Sequence, residues 1–196
     1  QGFQIEVATF RSDGEYRDGR HPTEVSFANP QDDALRRDFT VNALFYDLDQ
    51  ARIIDFVDGV SDLQKRLLRS VGDPQRRFAE DRLRVLRAIR IAAQLEFEID
   101  HPTFQAVRDW GAELAVVSQE RITSEIRKML ALPSRVQALH DLQVSGLAQQ
   151  LLLELKYFLP NHEISARRTK HLAHLYGKES RPAMLWSLLL WQEVDS

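Results

Sequence analysis

The sequence predicts an α+β fold, in which a small, mostly antiparallel sheet with short helices precedes an all-α region. Short alternating apolar runs bounded by turn residues, which are typical of strands, occur only before about residue 72. From Asp73 onward this strand signal disappears, and apolar residues recur at helical spacing. We therefore expect three parts: a sheet-containing part at residues 1–72, a helical part at 73–132, and a second helical part at 133–196.

The first part contains four strand patterns separated by loops and short helices. The expected strands are residues 3–7, TEVSFA, ALFYDL and RIIDFV, and the last two form a hairpin. The segment SDGEYRDGRHPTE is rich in glycine and charge, so we expect an exposed loop there. DDALRRDFTVNAL and VSDLQKRLL are predicted to be helical, with Asp32 or Asp33 in the first turn of the former.

Helix signals dominate the rest of the chain. Asp73 supplies a cap and Pro74 the first helical position. Helices are predicted at about 80–95, 102–115, 119–132, 135–150 and 182–194. Ser118 is a good N-cap, and Pro133 and Gly146 are expected to end or kink the helices before them.

Composition excludes several classes of protein. The 196 residues are 43% hydrophobic and 28% charged, as in an ordinary globular protein with one good core or two small ones. No apolar run is long enough to span a membrane, and no signal peptide is visible at the N-terminus. The absence of cysteine excludes disulfides and fits a reducing compartment, so we expect a cytoplasmic protein. Because the net charge is −3, any anion site must be local.

The segment RRFAEDRLRVLRAIRIAAQLEF is unusually basic. Between Arg76 and Arg90 it holds six arginines against two acids, a local balance of +4. On a continuous helix, Arg84, Arg87 and Arg90 fall between apolar groups rather than on a polar stripe. Two acids cannot pair with all six, so we expect these arginines to face a cleft and to bind an external anion such as phosphate. The alternative is that Arg84 pairs with Glu80 and the other arginines extend to solvent.

Asp81 and Arg84 would lie one helical turn apart and side by side on that helix. A carboxylate accepts hydrogen bonds and a guanidinium donates them, so together they could recognise the edge of a nucleobase. Spacing alone suggests this role without establishing it. His140 and Asp141 lie in a helical pattern, and we interpret them as a surface pair rather than metal ligands.

Four separated stretches resemble one family in their order and spacing. They are ATFRSDGEYRDGRHPTEVSF, RRDFTVNAL, FAEDRLRVLRAIRIAAQLEFEI and VSQERITSEIRKML, and together they span about residues 3–132. The chain thereby resembles the class II tRNA nucleotidyltransferase and bacterial poly(A) polymerase family. The resemblance implies an enzyme that adds nucleotides to an RNA 3′ end without a template. The three parts would be the C-terminal part of the head (1–72), the neck (73–132) and the start of the body (133–196).

The resemblance also implies a nucleotide site. In RRDFTVNAL, Arg37 would contact the nucleotide and its triphosphate, Asp38 would approach the ribose hydroxyl, and Asn42 would support that pocket.

In FAEDRLRVLRAIR, Asp81 and Arg84 match the pair that hydrogen-bonds the incoming base, and Arg87 and Arg90 match further arginines of the same site. The loop containing Asp18, Gly19 and Arg20 resembles the flexible loop of the family, which is thought to help the switch from C to A addition.

Catalysis in this family depends on two Mg²⁺ ions held by an Asp-x-Asp strand. No Asp-x-Asp precedes Glu6, and the match at Asp47–Asp49 falls in the wrong segment. Glu6 has the form of the third carboxylate of the wider superfamily, so it is either a metal neighbour or a solvent-facing strand residue. We therefore expect the complete protein to have residues before Gln1 that carry the Mg²⁺ ligands, and a tail after Ser196. The chain alone should keep a nucleotide pocket without catalysing transfer.

The expected function is addition of C, A or both to tRNA 3′ ends from CTP and ATP, with tRNA or another RNA as partner. Poly(A) polymerase is the near alternative, and a non-catalytic nucleotide- or RNA-binding module is the alternative from another class. The sequence leaves open whether a CCA-type enzyme would make the full CCA end or only part of it.

Overall fold

The computed structural model describes residues 7–13 and 25–151. Glu6, Asp18, Gly19 and Arg20 lie outside the described residues, as does the predicted helix at 182–194. Most of the predicted strand at 3–7 and most of the glycine-rich loop also lie outside them.

Short strand pairs and two helices make up the first part. β1 (Arg11–Asp13) pairs antiparallel with β2 (Val25–Phe27), and β3 (Leu44–Asp47) pairs antiparallel with β4 (Arg52–Asp55). The predicted hairpin is thus confirmed, as is the strand in TEVSFA. The helices are α1 (Pro30–Leu35), capped by the Asn29 side chain, and α2 (Gly59–Lys65).

The prediction of one helix through DDALRRDFTVNAL is wrong. α1 ends at Leu35, Phe39 is extended and bridges Ser70, and a 3₁₀ turn follows at Thr40–Asn42. Tertiary contacts override the local pattern, because the Phe39 side chain is fully buried and the Thr40 amide donates to the Arg69 carbonyl oxygen (3.0 Å).

A further strand pair joins the two parts of the chain. β5 (Leu67–Leu68) pairs in parallel with β6 (Glu98–Ile99). The expectation that strands end at Asp73 is therefore wrong in this one place. A two-residue strand is too short to produce a recognisable alternation in the sequence.

Helices form most of the remaining described structure. They are α3 (Pro74–Glu80), α4 (Arg84–Leu95), α5 (His101–Asp109), α6 (Gln119–Leu130), α7 (Arg135–Val144) and α8 (Leu147–Leu151), with a 3₁₀ segment at Gly111–Val116. The Asp73 cap is confirmed by its hydrogen bond from the Gln75 amide (3.0 Å). Ser118 occupies the N-cap position without a side-chain cap bond, and Gly146, with φ of +82°, separates α7 from α8.

The centre of the core is α4. Most of its apolar side chains, including Val85, Leu86 and Ile89, are buried and belong to one cluster that extends from Phe39 to Ala148, and Leu95 is partly buried against it. The first part and the helices therefore share a core, and Phe78 is buried in it. This mixed architecture confirms the predicted α+β class, while the three domain bounds stay a prediction. In the described part of the chain, no helix combines the length and the hydropathy needed to cross a bilayer.

Candidate nucleotide-binding site

A polar cleft of about 470 Å³ lies where the segment after α1 meets the start of α4. Its lining residues are Arg36, Arg37, Asp38, Asn42, Asp81, Arg84 and Arg87. Six of the seven residues that the resemblance assigned to a nucleotide site thus come together, and Arg36 joins them. The seventh, Arg90, does not line the cleft. The volume falls within the range of roughly 300–1,000 Å³ that is usual for small-molecule sites.

The floor of the cleft is fixed by the backbone after α1. The Val71 amide donates to the Asp38 carbonyl oxygen (3.1 Å), which extends the pairing of Phe39 with Ser70. The Thr40 hydroxyl donates to a carboxylate oxygen of buried Asp62 (2.6 Å). These contacts fix the backbone that carries Asp38 and Asn42.

A single buried carboxylate holds the first two arginines. Asp33 is 1% exposed, and its two oxygens accept hydrogen bonds from Arg36 (2.5 Å) and Arg37 (2.7 Å) separately. Burial raises the pKa of Asp33, but the hydrogen bonds from Arg37 and Arg36 bring it below its ordinary value. Sequence reasoning assigned Asp33 only to a helix turn, although its spacing of three and four residues from the arginines was a usable signal.

Arg37 keeps donor capacity for a ligand. Its guanidinium carbon lies 5.8 Å from the centre of the Phe45 ring, and the side chain is 40% exposed. Only Nε and Nη2 bond to Asp33, and Nη1 has no acceptor among the described residues. A guanidinium with a free donor at a cleft wall is suited to bind phosphate.

Asp38 joins the two sides of the cleft. Its Oδ2 accepts from Arg87 Nη2 (2.5 Å) and Nε (2.8 Å), and its Oδ1 accepts from Asn42 Nδ2 (3.0 Å) and the Phe39 amide (2.9 Å). Burial raises the pKa of Asp38, but the charge of Arg87 and these hydrogen bonds lower it below its ordinary value. Since a carboxylate has about four acceptor positions, a ribose hydroxyl would have to share or displace one of these donors.

The basic helix is interrupted at the proposed base-recognition residues. Asp81 is extended (φ −147°, ψ 106°) and lies between α3 and α4, so the prediction that Asp81 and Arg84 share a helix face is wrong. The Asp81 side chain accepts from the Leu83 amide (3.1 Å), a local bond that competes with helix continuation. Its other oxygen accepts from Arg121 Nη2 (2.8 Å).

Arg84 is almost completely buried, with 8% of its surface exposed. Its Nη1 donates to Glu80 Oε2 (2.8 Å) and to the Arg77 carbonyl oxygen (2.9 Å), and its Nη2 donates to the Arg36 carbonyl oxygen (3.3 Å). The alternative pairing with Glu80 is therefore present. Arg84 nevertheless lines the cleft, because its guanidinium carries five N–H donors and Glu80 binds only one end of it.

The expectation that the arginines of this segment lack protein partners is wrong for α4. Arg84 pairs with Glu80, Arg87 with Asp38, and Arg90 with Glu125 (2.6 Å). Two of these acids come from distant parts of the chain, and the local count of charges could not include them. Arg90 is directed to α6 instead of the cleft, so its geometry gives no support to a nucleotide contact.

The described residues do not fit a magnesium site. Among residues 7–13 and 25–151, no three histidine, aspartate or glutamate side chains converge as a metal-binding group. Both carboxylates of the cleft, Asp38 and Asp81, already bind arginine. What the cleft offers is four guanidinium groups against two carboxylates, a lining suited to an anionic ligand with hydrogen-bonding edges.

Comparisons with known proteins identify the family of the chain. The family model "Poly A polymerase head domain" matches residues 1–69, and "Probable RNA and SrmB- binding site of polymerase A" matches residues 96–159. The CCA-adding enzyme of Pediococcus pentosaceus is 36% identical over 194 residues, which are 97% of this chain and 46% of the relative. That of Geobacillus thermodenitrificans is 39% identical over 201 residues, covering 96% of this chain and 50% of the relative.

A solved structure is similar as well. The crystal structure of the Bacillus stearothermophilus CCA-adding enzyme in complex with CTP matches with a TM-score of 0.74 and 33% identity, covering 95% of this chain and 44% of that one. The fold is that of a nucleotidyltransferase head joined to helices. The chain belongs to the class II tRNA nucleotidyltransferase and bacterial poly(A) polymerase family. It spans half or less of the length of these relatives.

Proposed function

We propose that this protein is a template-independent nucleotidyltransferase that adds C, A or both to tRNA 3′ ends, and that its cleft binds CTP or ATP. One observation carries the proposal: six residues with expected nucleotide contacts, from two segments separated by about forty residues of sequence, line one cleft. The similarity to CCA-adding enzymes over nearly the whole chain supports tRNA as the substrate.

Each side of the cleft has a proposed task. Arg36 and Arg37 bind the triphosphate, and their ion pairs with Asp33 keep both guanidinium groups in position. Asp81 and Arg84 recognise the base, one as acceptor and the other as donor. Asp38 and Asn42, which are hydrogen-bonded to each other, are proposed to contact the sugar. The helices within residues 96–159 are proposed to contact RNA, in line with the second family model.

A divalent metal belongs to the proposed reaction, and Mg²⁺ is the expected ion. It would neutralise the developing charge on the triphosphate. Because the described residues do not fit such a site, Glu6 is the one residue of this chain that we propose near the metal. The lack of an Asp-x-Asp strand before Glu6 supports the proposal that this polypeptide alone binds nucleotide without transferring it. The lack of cysteine supports a cytoplasmic location.

Binding of the four nucleoside triphosphates to the purified chain tests the proposal. We expect calorimetry to show tighter binding of CTP and ATP than of UTP and GTP. Arg84→Ala should reduce this preference by about 1–3 kcal/mol, roughly 5- to 150-fold in relative affinity, because a bidentate donor is lost. Arg108→Ala, which removes an exposed arginine of α5 outside the cleft, is the matched control and should leave the preference unchanged.

The outcomes separate the competing functions. Equal binding of all four nucleotides would contradict the proposed base recognition. ATP binding without CTP binding would favour a poly(A) polymerase, and RNA binding with no nucleotide binding would favour a non-catalytic module. Incorporation of labelled nucleotide into tRNA by this polypeptide would contradict its proposed inactivity.

A further inference from the structure

We propose that Arg121 of α6 is a positioning residue that orients Asp81 for recognition of the base. The proposal rests on the proposed function, because it concerns the same cleft. The stretch VSQERITSEIRKML contains Arg121 and is one of the four stretches that resemble the family, but the resemblance places no nucleotide contact in it.

Two hydrogen bonds hold the Asp81 side chain in its orientation. Asp81 lies between α3 and α4, so no helix fixes its direction. Its Oδ1 is held by the Leu83 amide (3.1 Å), and its Oδ2 is held by Arg121 Nη2 (2.8 Å) across 40 residues of sequence. Arg121 is half-buried and is not a lining residue of the cleft, whereas Asp81 is. Arg121 therefore acts on a ligand only through Asp81.

α6 is itself held against the nucleotide side of the molecule. Glu125 lies one turn after Arg121 on the same face of the helix, and its carboxylate accepts from Arg90 of α4 (2.6 Å). Glu125 is buried, which raises its pKa, but the bonds from Lys128 and Arg90 bring the pKa below its ordinary value. A charged pair one turn away thus fixes where Arg121 sits relative to Asp81.

The chemistry of the bases explains why orientation of this carboxylate matters. Cytosine and adenine carry an exocyclic amino group that donates a hydrogen bond, whereas uracil and guanine carry an oxygen acceptor at the equivalent position. A carboxylate accepts from the amino group and repels the oxygen. Without Arg121, the Asp81 side chain keeps only the Leu83 amide and is free to rotate about it, so the acceptor is no longer held toward the base.

Two neutral variants test the proposal. Arg121→Gln and Arg121→Met both remove the charge, and the methionine keeps the apolar stem that packs on neighbouring residues. We expect either variant to reduce the CTP-to-UTP affinity ratio at least fivefold by calorimetry, while UTP affinity and the melting temperature change little. Arg121→Lys, which keeps the charge on a shorter reach, should give an intermediate ratio. Arg127→Ala removes an exposed arginine of the same helix and should leave the ratio at the wild-type value.

A double variant checks that Arg121 acts through Asp81. Once Asp81→Asn has removed the carboxylate, adding Arg121→Gln should reduce the CTP-to-UTP ratio no further. A folded neutral variant with the wild-type ratio would overturn the role of Arg121 while leaving the proposed function intact. A wild-type chain without any CTP preference would instead overturn the proposed function, and the role of Arg121 with it.

Discussion

Asp38 and Arg87 are 49 residues apart in sequence, and their contact closes the cleft between the two segments. The carboxylate is nearly buried and the guanidinium about one-third exposed. Such a pair contributes little net stability relative to an apolar pair, but removal of one partner leaves a poorly solvated charge behind. The contact therefore specifies the cleft geometry more than it stabilises the fold.

Asp38→Asn should lower the free energy of unfolding by about 1–3 kcal/mol at neutral pH, because Arg87 loses its charged acceptor. Urea unfolding of both proteins measures the difference, with exposed Asp49→Asn as the control. Since folding lowers the pKa of Asp38, its stabilising effect is complete above the ordinary value of 3.8 and is lost as the pH falls through the lower folded value. The two stabilities should converge at that acidic end, and a difference independent of pH would contradict the assignment.

Asp33 shows how a residue outside a cleft determines what the cleft presents. One buried carboxylate binds Arg36 and Arg37 through separate oxygens, which keeps two like charges side by side. Without an acceptor between them, the two guanidinium groups would repel and separate. The triphosphate side of the proposed site is therefore organised before any ligand arrives.

At the scale of elements, the first turn of α2 and the 3₁₀ turn at Thr40–Asn42 are packed unusually closely. A β-carbon added to Gly59 would lie 2.4 Å from the Thr40 carbonyl oxygen, which is a backbone atom of the cleft floor. Only glycine permits this approach. The Asp55 side chain also caps this helix, since it accepts from the Gly59 (3.1 Å) and Val60 (2.9 Å) amides.

We expect Gly59→Ala to destabilise the protein by about 1–3 kcal/mol and to weaken nucleotide binding, since the turn that carries Asn42 must shift. Denaturant unfolding and CTP titration measure the two effects. Gly72→Ala is an informative comparison, because Gly72 has open space around it but a φ of +68°. That variant should lose stability through backbone strain without loss of CTP affinity. Unchanged CTP binding by a folded Gly59→Ala protein would show that the close contact does not control the cleft.

At the scale of the whole molecule, carboxyl groups with lowered and raised pKa values have opposite effects on how the free energy of unfolding depends on pH. Asp33, Asp38, Asp55 and Glu125 all have a lowered pKa, so each stabilises the folded state once the pH exceeds the ordinary pKa of its carboxyl group.

Asp141 has the opposite effect and destabilises the folded state as the pH rises. It lines a cavity of about 300 Å³ with Phe97, Phe104 and Val144, and burial raises its pKa to about 6 although neighbouring His140 acts in the opposite direction. Asp141 is thus half-buried, whereas a surface pair was expected.

Asp141→Asn should raise the free energy of unfolding by about 1–3 kcal/mol at pH 7, because ionisation of the wild-type carboxyl is disfavoured in the folded protein. The penalty arises as the pH increases from 3.8 to about 6, so the gain should diminish at pH 4. Denaturant unfolding at both pH values measures it. Exposed Glu113→Gln serves as the control. A variant equally or less stable at pH 7 would contradict the assignment.

The sequence alone determined the features that depend on neighbouring residues. The β3–β4 hairpin, the Asp73 cap and the break at Gly146 follow from local turn chemistry and periodicity. Motif resemblance also identified most of the residues that line the cleft, since a motif records residue type and order without needing the chain path.

Only the tertiary structure decided which charges meet. Arg87 pairs with Asp38, Arg90 with Glu125 and Asp81 with Arg121, and the partners are 35 to 49 residues apart in sequence. No local sequence pattern contains these pairings. The break in the helix at Asp81 could not be predicted for the same reason. The apolar spacing continues through Asp81, but its carboxylate accepts hydrogen bonds from the Leu83 amide and from Arg121, and the local bond to Leu83 competes with the helical conformation. Periodicity encodes what a segment could form alone, and long-range hydrogen bonds select what it forms in the folded protein.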